Sequence, residues 1–355
     1  MDCSPLNITS FGKALQVKGS TIYRWYRDVL SDYARDKTMM HKHDVIKGNK
    51  AGTVIEVPIL KPENFGAKMA IDEKHIGEDI CTVISNRQTG RIALLAKSLN
   101  YTDIKEIFLQ NKLPLANIES ITRDFSGLFE KVCTELMPQA TQIGDKFHVI
   151  RNMMDAHQSV RIRYRQKELE KRRKAFQDFK LAQHNRLIEC EKTGQKFKSE
   201  KFHYKEQRMN NGETLLEILA RSRYLLYKYP GQWNKYQKRR AEILFDTFPQ
   251  INQTYLLCNQ FRNLMSTINI GKHYLQIDKE LHQWYEEVDK ADIDEMSNFK
   301  SMVESNEDII RNYFINGETN AIAEAVNSKI QKLISSNNGN RDKDFFFFRL
   351  TQFYA

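Results

Sequence analysis

The hydrophobic periodicity of this chain changes once, near Asp145, and that change limits the folds open to it more than any other feature. From Ala67 onward the apolar runs are short and bounded by turn residues. "AKMAID", "ICTVIS" and "RIALLA" read as strands, and the turn "NRQTG" makes a hairpin of the last two. "TDIKEIFLQNKL" then reads as a helix, "NIESITRD" as a fourth strand, "GLFEKVCTELM" as a helix and "ATQIGD" as a fifth strand. Beyond Asp145 no strand pattern returns. Residues 150–315 keep helical spacing, broken at Thr193-Gly194, Asn210-Gly212, Pro230-Gly231 and Pro249. A meander followed by helix-strand-helix-strand predicts an α/β domain with a mixed five-stranded sheet, and the remainder predicts a large all-α block.

A length of 355 residues suggests two or three folding units, and a hydrophobic content of 41% is enough to give them cores. There is no run of 18 apolar residues and no basic-then-apolar leader at "MDCSPLNITS", so a soluble, cytoplasmic protein with no membrane partner is expected. Cys3, Cys81, Cys133, Cys190 and Cys258 are scattered, which argues against a disulfide framework and a zinc ribbon. Phosphate-cradling glycine motifs are absent. The net charge of +10 is concentrated: residues 157–213 hold 16 Lys+Arg against 8 Asp+Glu, interleaved with Tyr164, Phe176, Phe179, Phe197, Phe202 and Tyr204. Such a block suits a DNA phosphate backbone, with Arg161, Arg163, Arg165, Arg172, Arg173 and Lys174 as contacts; the competing reading is a solvated helix face.

Near the N-terminus, "TSFGKALQVKGSTIYRWYRDVLSDY" reads as two short helices around a tight turn. Ala14, Leu15 and Val17 give the first an apolar side, Gly19 permits the turn, and Ser20 suits the N-cap of the second. Ile22, Trp25 or Tyr26, Val29 and Tyr33 would pack inward, leaving Thr21, Arg24 and Arg27 outward. That is the layout of a helix-turn-helix that reads the major groove, although a plain helical hairpin has the same pattern. The polar stretch from His41 to Glu63, with Gly48, Gly52, Pro58 and Pro62, reads as a linker.

Two carboxylates stand at strand ends: Asp72 closes the first strand and Asp124 the fourth. If those strands are neighbours, the two charges repel unless a cation lies between them. Mg²⁺ takes carboxylate oxygens while keeping substrate phosphate, and two such ions about 4 Å apart promote phosphoryl transfer. A third acid is available in "ETNAIAEAVNSKIQKLI". There Ile322, Val326, Ile330 and Leu333 form one helical face, and Glu324 falls beside it with Asn327, Ser328 and Gln331.

These motifs, in this order, resemble the ISL-three family of insertion-sequence transposases, and more broadly the RNase H-like DDE transposases and integrases. "AIDEKHIGEDICTVISNRQTGRI" is similar to the family's first catalytic strand and hairpin. "ITRDFSGLFEKVCTELMPQATQIGDKFHVIRNM" is similar to its second Asp and its Asp-x-Phe-His-Val stretch. "SRYLLYKYPGQWNKYQKRRAEILFDTFPQINQTYLLCNQFRNLM" resembles its helical insertion, "TNAIAEAVNSKIQKL" the helix of its third acid, and "NRDKDFFFFRL" its aromatic-rich end. The resemblance implies that Asp72, Asp124 and Glu324 are a catalytic, metal-binding triad holding two Mg²⁺ ions, for which Mn²⁺ would substitute. Asp145 and His148 would support the site, near the metals or as hydrogen-bonded struts at the strand-helix junction, together with Asn327. The layout implied is a helix-turn-helix over 1–40, a linker over 41–66, an RNase H-like domain over 67–150, a basic all-helical insertion over 151–315, and the end of the catalytic domain over 316–355.

The resemblance also implies Mg²⁺-dependent cleavage of double-stranded DNA at insertion-sequence ends and strand transfer into target DNA, by a homo-oligomer assembled on the DNA. Relatives often carry Gly after the third acid, where this chain has Ala325, and often begin with a cysteine-rich module, which is expected here from a separate N-terminal accessory polypeptide or an upstream reading frame. Two alternatives share these motifs: a structure-selective nuclease or resolvase of the same fold, and a DNA-binding regulatory derivative without activity.

Overall fold

A computed structural model of the chain describes residues 8–34, 45–46, 54–316, 321–336 and 342–355. The chain divides into two compact units, Met1–His148 with Asn306–Ala355, and Val149–Ser305. The first holds helices α1 (Ile8–Ala14) and α2 (Gly19–Trp25), strands β1 (Val45–Ile46), β2 (Val54–Ile55), β3 (Ile59–Leu60), β4 (Lys68–Ile76), β5 (Asp79–Asn86) and β6 (Ile92–Ala96), then α3 (Tyr101–Asn111), β7 (Ser120–Arg123), α4 (Gly127–Leu136) and β8 (Thr141–Gly144). Helix α5 (Lys146–Thr193) begins in this unit and runs on into the second. There it is followed by α6 (Leu215–Arg221), α7 (Lys235–Thr247), α8 (Pro249–Leu264), α9 (Tyr274–Ala291) and α10 (Asp294–Ser305). Helices α11 (Glu307–Asn316), α12 (Ala321–Ser336) and α13 (Lys343–Tyr354) complete the first unit.

The sheet is mixed and six-stranded, in the order β3-β6-β5-β4-β7-β8. Strands β4, β5 and β6 form the expected antiparallel meander, and β7 and β8 add parallel to β4. The sixth strand comes from the stretch expected to be a linker: Ile59 and Leu60 pair with Leu95 and Leu94. Ile55, Val57, Ile59, Leu60 and Phe65 are all buried, so residues 54–65 are part of the core. Prolines and glycines made the segment look like a spacer, but its apolar residues decide where it goes. The rest of that stretch, 41–44 and 47–53, lies outside the described residues.

Strand alternation divides the sheet's side chains between two cores. On one face Met69, Ile71 and Ile121 pack with Ile104, Ile107 and Phe108 of α3 and Phe129, Val132 and Cys133 of α4. On the other, Ile76, Cys81, Val83 and Leu95 pack with Val326, Ile330 and Leu333 of α12 and Phe346, Phe347 and Leu350 of α13. Three of the four residues expected on the apolar face of α12 are buried there, whereas Ile322 is 39% exposed.

The run "FFFF" is explained by two-sided packing. Phe346 and Phe347 face the sheet, while Phe345 and Phe348 turn to Tyr23, Tyr26 and Tyr33. Ring centroids there lie 5.1–5.6 Å apart with edge-to-face geometry. The N-terminal helices thus dock on α13. Their turn is tight: a Cβ on Gly12 would sit 2.7 Å from the Val17 carbonyl oxygen and 3.0 Å from Gly19 Cα. The left-handed residue in that turn is Gln16, with φ 55°, rather than Gly19, which instead opens α2. Lys18 stands at the N-cap with no capping side chain, so Ser20 does not fill that role.

The inward face of this second helix departs from expectation at one position. Of the alternatives Trp25 and Tyr26 it is Tyr26 that is buried, with Ile22, while Trp25 is 51% exposed; Val29, expected inward, is 71% exposed. A π-helical turn from Tyr26 to Leu30 extends α2, and its wider turn rotates later residues out of the 3.6-residue phase. Ala14 and Leu15 are exposed as well.

The second unit is helical throughout its regular structure, with Phe261, Trp284 and Phe299 packed ring to ring at 4.7–5.8 Å. Residues 195–207 run back along the distal part of α5. Phe202 meets Phe176 edge-on and Phe179 at a tilt, with ring centroids 5.0 Å and 5.3 Å away, and Arg186 pairs with Glu200 at 2.7 Å.

Candidate active site

The sheet register assembles the acids. β4 and β7 pair in parallel with Ala70 opposite Thr122, and β7 and β8 pair with Arg123 opposite Gly144. Continued to the strand ends, the same register sets Asp72 level with Asp124 and Asp124 level with Asp145. Asp124 and Asp145 directly follow the ends of β7 and β8, whereas Asp72 does not close its strand as expected: β4 runs on to Ile76, because its pairing with β5 continues four residues past Asp72, from Asp72 opposite Val83 to Ile76 opposite Asp79. Asp72 follows Ala70 and precedes Ile76 on the face covered by α12, so it projects toward that helix.

Helix α12 reaches this row. The Asn327 side-chain amide donates to Asp72 Oδ2, and the Glu73 backbone N–H donates to Asp72 Oδ1 at 2.8 Å. Glu324 lies one turn earlier on α12. Its side chain is largely solvent-exposed, yet it feels the charges of Asp145 and Asp72. Asp124 Oδ1 accepts from the Ser126 backbone N–H at 2.8 Å, and Asp145 Oδ1 accepts from that of Phe147 at 2.8 Å, capping α5.

His148 stands between Asp72 and Asp145. Its Nε2 lies 3.8 Å from Asp72 Oδ1 and 3.7 Å from Asp145 Oδ2, and its charge also acts on Asp124 and Glu324. Asp145 thus caps the first turn of α5, and His148 one turn on faces Asp72 and Asp145.

The electrostatics are those of an under-compensated anionic site. Burial pushes the Asp72 carboxyl above the usual carboxylate range and the Asp145 charge adds to this, while His148, the Glu73 N–H and Asn327 pull it down. Burial likewise raises Asp124, opposed by the Ser126 N–H, His148 and Arg123 and reinforced by Glu73. Glu324 is raised by partial burial and by Asp145 and Asp72. Among the described residues no three His, Cys, Asp or Glu side chains are arranged to hold a metal ion as they stand. The donor set itself is made of hard oxygens whose mutual repulsion a divalent cation would relieve, so the residues present suit Mg²⁺ or Mn²⁺. Glu73, on the opposite face of β4, pairs with His75 at 3.1 Å.

Two cations at this site belong to no sequence motif. Lys74 follows Asp72 by two on β4 and shares its face, and Lys146 opens α5 directly after Asp145. Their positions were readable from alternation and adjacency, but single lysines carry no motif.

The candidate DNA contacts divide sharply. Arg24 is exposed and Thr21 half-buried. Arg27 is engaged by Asp28 at 2.6 Å and Asp342 at 3.1 Å, which fixes the N-terminal helices to the start of α13. In the second unit Arg161 is only 7% exposed and donates to Gln158 Oε1 and the Leu219 carbonyl, each at 2.7 Å. It is a core strut of that unit and offers no surface contact. Arg163 pairs with Glu295 at 2.8 Å, and Arg165 is half-buried. Arg172, Arg173 and Lys174 are exposed, with Glu206 and Glu170 3.6 Å and 3.8 Å from the two arginines.

The mixed six-stranded sheet with helices packed on both faces is an α/β domain. Comparison with known families is more specific: the model of the DDE transposases of the ISL3 type matches residues 69–350. The chain belongs to this transposase family. Neither the curated proteins nor the solved structures yield a significant match. Among the described residues no helix is long and apolar enough to cross a membrane.

Proposed function

We propose that the chain is a DDE transposase that cleaves DNA at insertion-sequence ends and joins a 3′-hydroxyl to target DNA, with Asp72, Asp124 and Glu324 as its catalytic acids on an RNase H-like sheet. What supports this reading is the parallel register of β4 and β7, which continued past Ala70 and Thr122 levels Asp72 with Asp124, together with the hydrogen bond to Asp72 from Asn327 of α12, the helix that carries Glu324. Asp72, Asp124 and Glu324 would hold Mg²⁺, which when bound activates the attacking oxygen and stabilises the leaving one. Asn327 fixes the rotamer of Asp72 by occupying one of its oxygens. His148 sets an imidazole nitrogen between Asp72 and Asp145. Asp145 caps α5 and so fixes where His148 stands. Thr21 and Arg24 on α2, and the exposed Arg172, Arg173 and Lys174 on α5, are the remaining candidates for contact with duplex DNA.

The test uses nicking of supercoiled plasmid and joining of a labelled 3′-hydroxyl duplex in Mg²⁺ or Mn²⁺. Asp72→Asn, Asp124→Asn and Glu324→Gln keep shape but remove charge, so each should abolish both reactions while duplex binding persists. Pairs of these changes should cost no more than single ones, because the two-metal geometry fails as a unit. Glu73→Gln should stay active. Wild-type activity retained by Asp72→Asn would overturn the mechanism.

A further inference from the structure

Near four carboxyls, a lysine is expected to be paired with one of them. Lys74 and Lys146 are not. Each is half-buried, and neither forms a salt bridge with a described carboxylate. Lys74 projects from the α12 face of β4, two residues past Asp72, and the Asp72 charge reaches it. The Lys146 ammonium lies 5.6 Å from the ring centre of Tyr313, and the Glu324 charge reaches it. The lysines thus stand on two sides of the acid row, one on the central strand and one on the first turn of α5.

Holding an ammonium half out of water without an anion within bonding distance is unfavourable, and the loss is recovered only when an anion arrives. The acids cannot be that anion at their present distances. They do, however, create a need for it, because a carboxylate row repels the phosphodiester backbone that must cross it.

We propose that Lys74 and Lys146 are phosphate contacts flanking the acid row, and that they seat the DNA backbone across Asp72, Asp124 and Glu324. The proposal rests on the reading above that this face handles DNA. Lysine suits the task, since its three ammonium donors engage a phosphate as a point charge and adapt as the backbone shifts.

The experiment measures binding of the full chain to a short fluorescein-labelled duplex of arbitrary sequence by anisotropy, in EDTA, across a salt series. Each phosphate contact contributes about 0.9 to the slope of log affinity against log salt. Lys74→Gln and Lys146→Gln should each lower the slope by about 0.9, and the double variant by about 1.8. Lys74→Arg and Lys146→Arg should restore it. Lys131→Gln on α4, on the opposite face of the sheet, should leave it unchanged. Circular dichroism melts confirm folding. If Lys146→Gln fails to fold, Lys146→Met keeps the aliphatic stem over Tyr313 and should show the same slope loss. Folded double variants with the wild-type slope would overturn the proposal. The two readings fail separately: an unchanged slope with Asp72-dependent nicking removes only the lysine contacts, and a reduced slope with nicking indifferent to Asp72 removes only the metal mechanism.

Discussion

Replacing Asn327 by Ala tests how the acid site is held. The Asn327 amide donates to Asp72 Oδ2, and a hydrogen bond to a charged acceptor contributes about 1.5–3 kcal/mol net. It also pulls the Asp72 carboxyl down against the burial that raises it. Without it Asp72 is freer to rotate and more inclined to hold a proton, and both effects oppose metal binding. If the whole contribution acts on the metal-competent state, affinity falls by about 10- to 150-fold at 1.4 kcal/mol per decade. That range overlaps the roughly 10- to 100-fold loss usual when a group supporting a metal ligand is removed. Calorimetric titration with Mn²⁺ reads it directly. Asn327→Ala should shift the midpoint by one to two decades, roughly, and Asp72→Asn should remove the transition. An Asn327→Ala protein that titrates like wild type, beside an Asp72→Asn protein that does not, would refute the view that this hydrogen bond organises the site.

Other expectations follow from the same charges. Because burial raises Asp72, Asp124 and Glu324 above their ordinary range, the folded state binds protons more readily than the unfolded chain. These groups therefore cost stability above their folded pKa values and cost nothing below the unfolded ones. Metal-free Asp72→Asn should accordingly melt higher than wild type at pH 7, and a lower melting temperature would contradict this. His157 acts at the opposite end of the scale: burial pushes it down to about 3, with Arg161 adding to the shift. Thr254 Oγ1 donates to backbone carbonyls and so accepts from His157 Nδ1 at 2.7 Å. The second unit should lose about 1.4 kcal/mol per pH unit as the pH falls below about 6.5, and His157→Phe should flatten that slope in denaturant melts. Arg161→Ala should destabilise the same unit by about 1.5–3 kcal/mol without a specific effect on DNA binding. Joint neutralisation of Arg172, Arg173 and Lys174 should leave stability within about 0.5 kcal/mol per site and lower the salt slope of DNA binding by up to about 2.7.

What the sequence disclosed depended on how local the signal was. Strands β4 to β8 and helices α3 and α4 fall where alternation and helical spacing place them, because each buries one face and the pattern records it. The neighbouring of Asp72 and Asp124 follows from strand order, and Glu324 from its place beside the Val326–Ile330–Leu333 stripe. Long-range decisions were not legible. Ile59 and Leu60 join the sheet through partners more than thirty residues away, which no window over "TVIEVPILKPENF" reveals. Arg161 looks like any other cation of the basic run, and only tertiary packing closes it beneath the Leu219 carbonyl. A 3.6-residue period places Val29 inward, and the π-helical turn from Tyr26 to Leu30 breaks that period. Arg27 owes its fixed position to Asp342, more than three hundred residues later.

The covering of the sheet has a consequence for how such a chain can decay. One of its two faces is closed by α12 and α13, which the ribosome delivers only after the entire helical unit has been made. Until then Cys81, Val83 and Leu95 have no lid on that side, and neither do Tyr23, Tyr26 and Tyr33. A nonsense or frameshift mutation anywhere before residue 321 would therefore leave a long-lived oily surface on the product. Such a fragment should be cleared by proteases or aggregate, so it would not persist beside the intact chain. Point changes at the acids, by contrast, leave the lid in place. If an inactive repressor form of this protein arises in nature, the packing favours its origin in a single substitution at Asp72, Asp124 or Glu324 over a truncated gene.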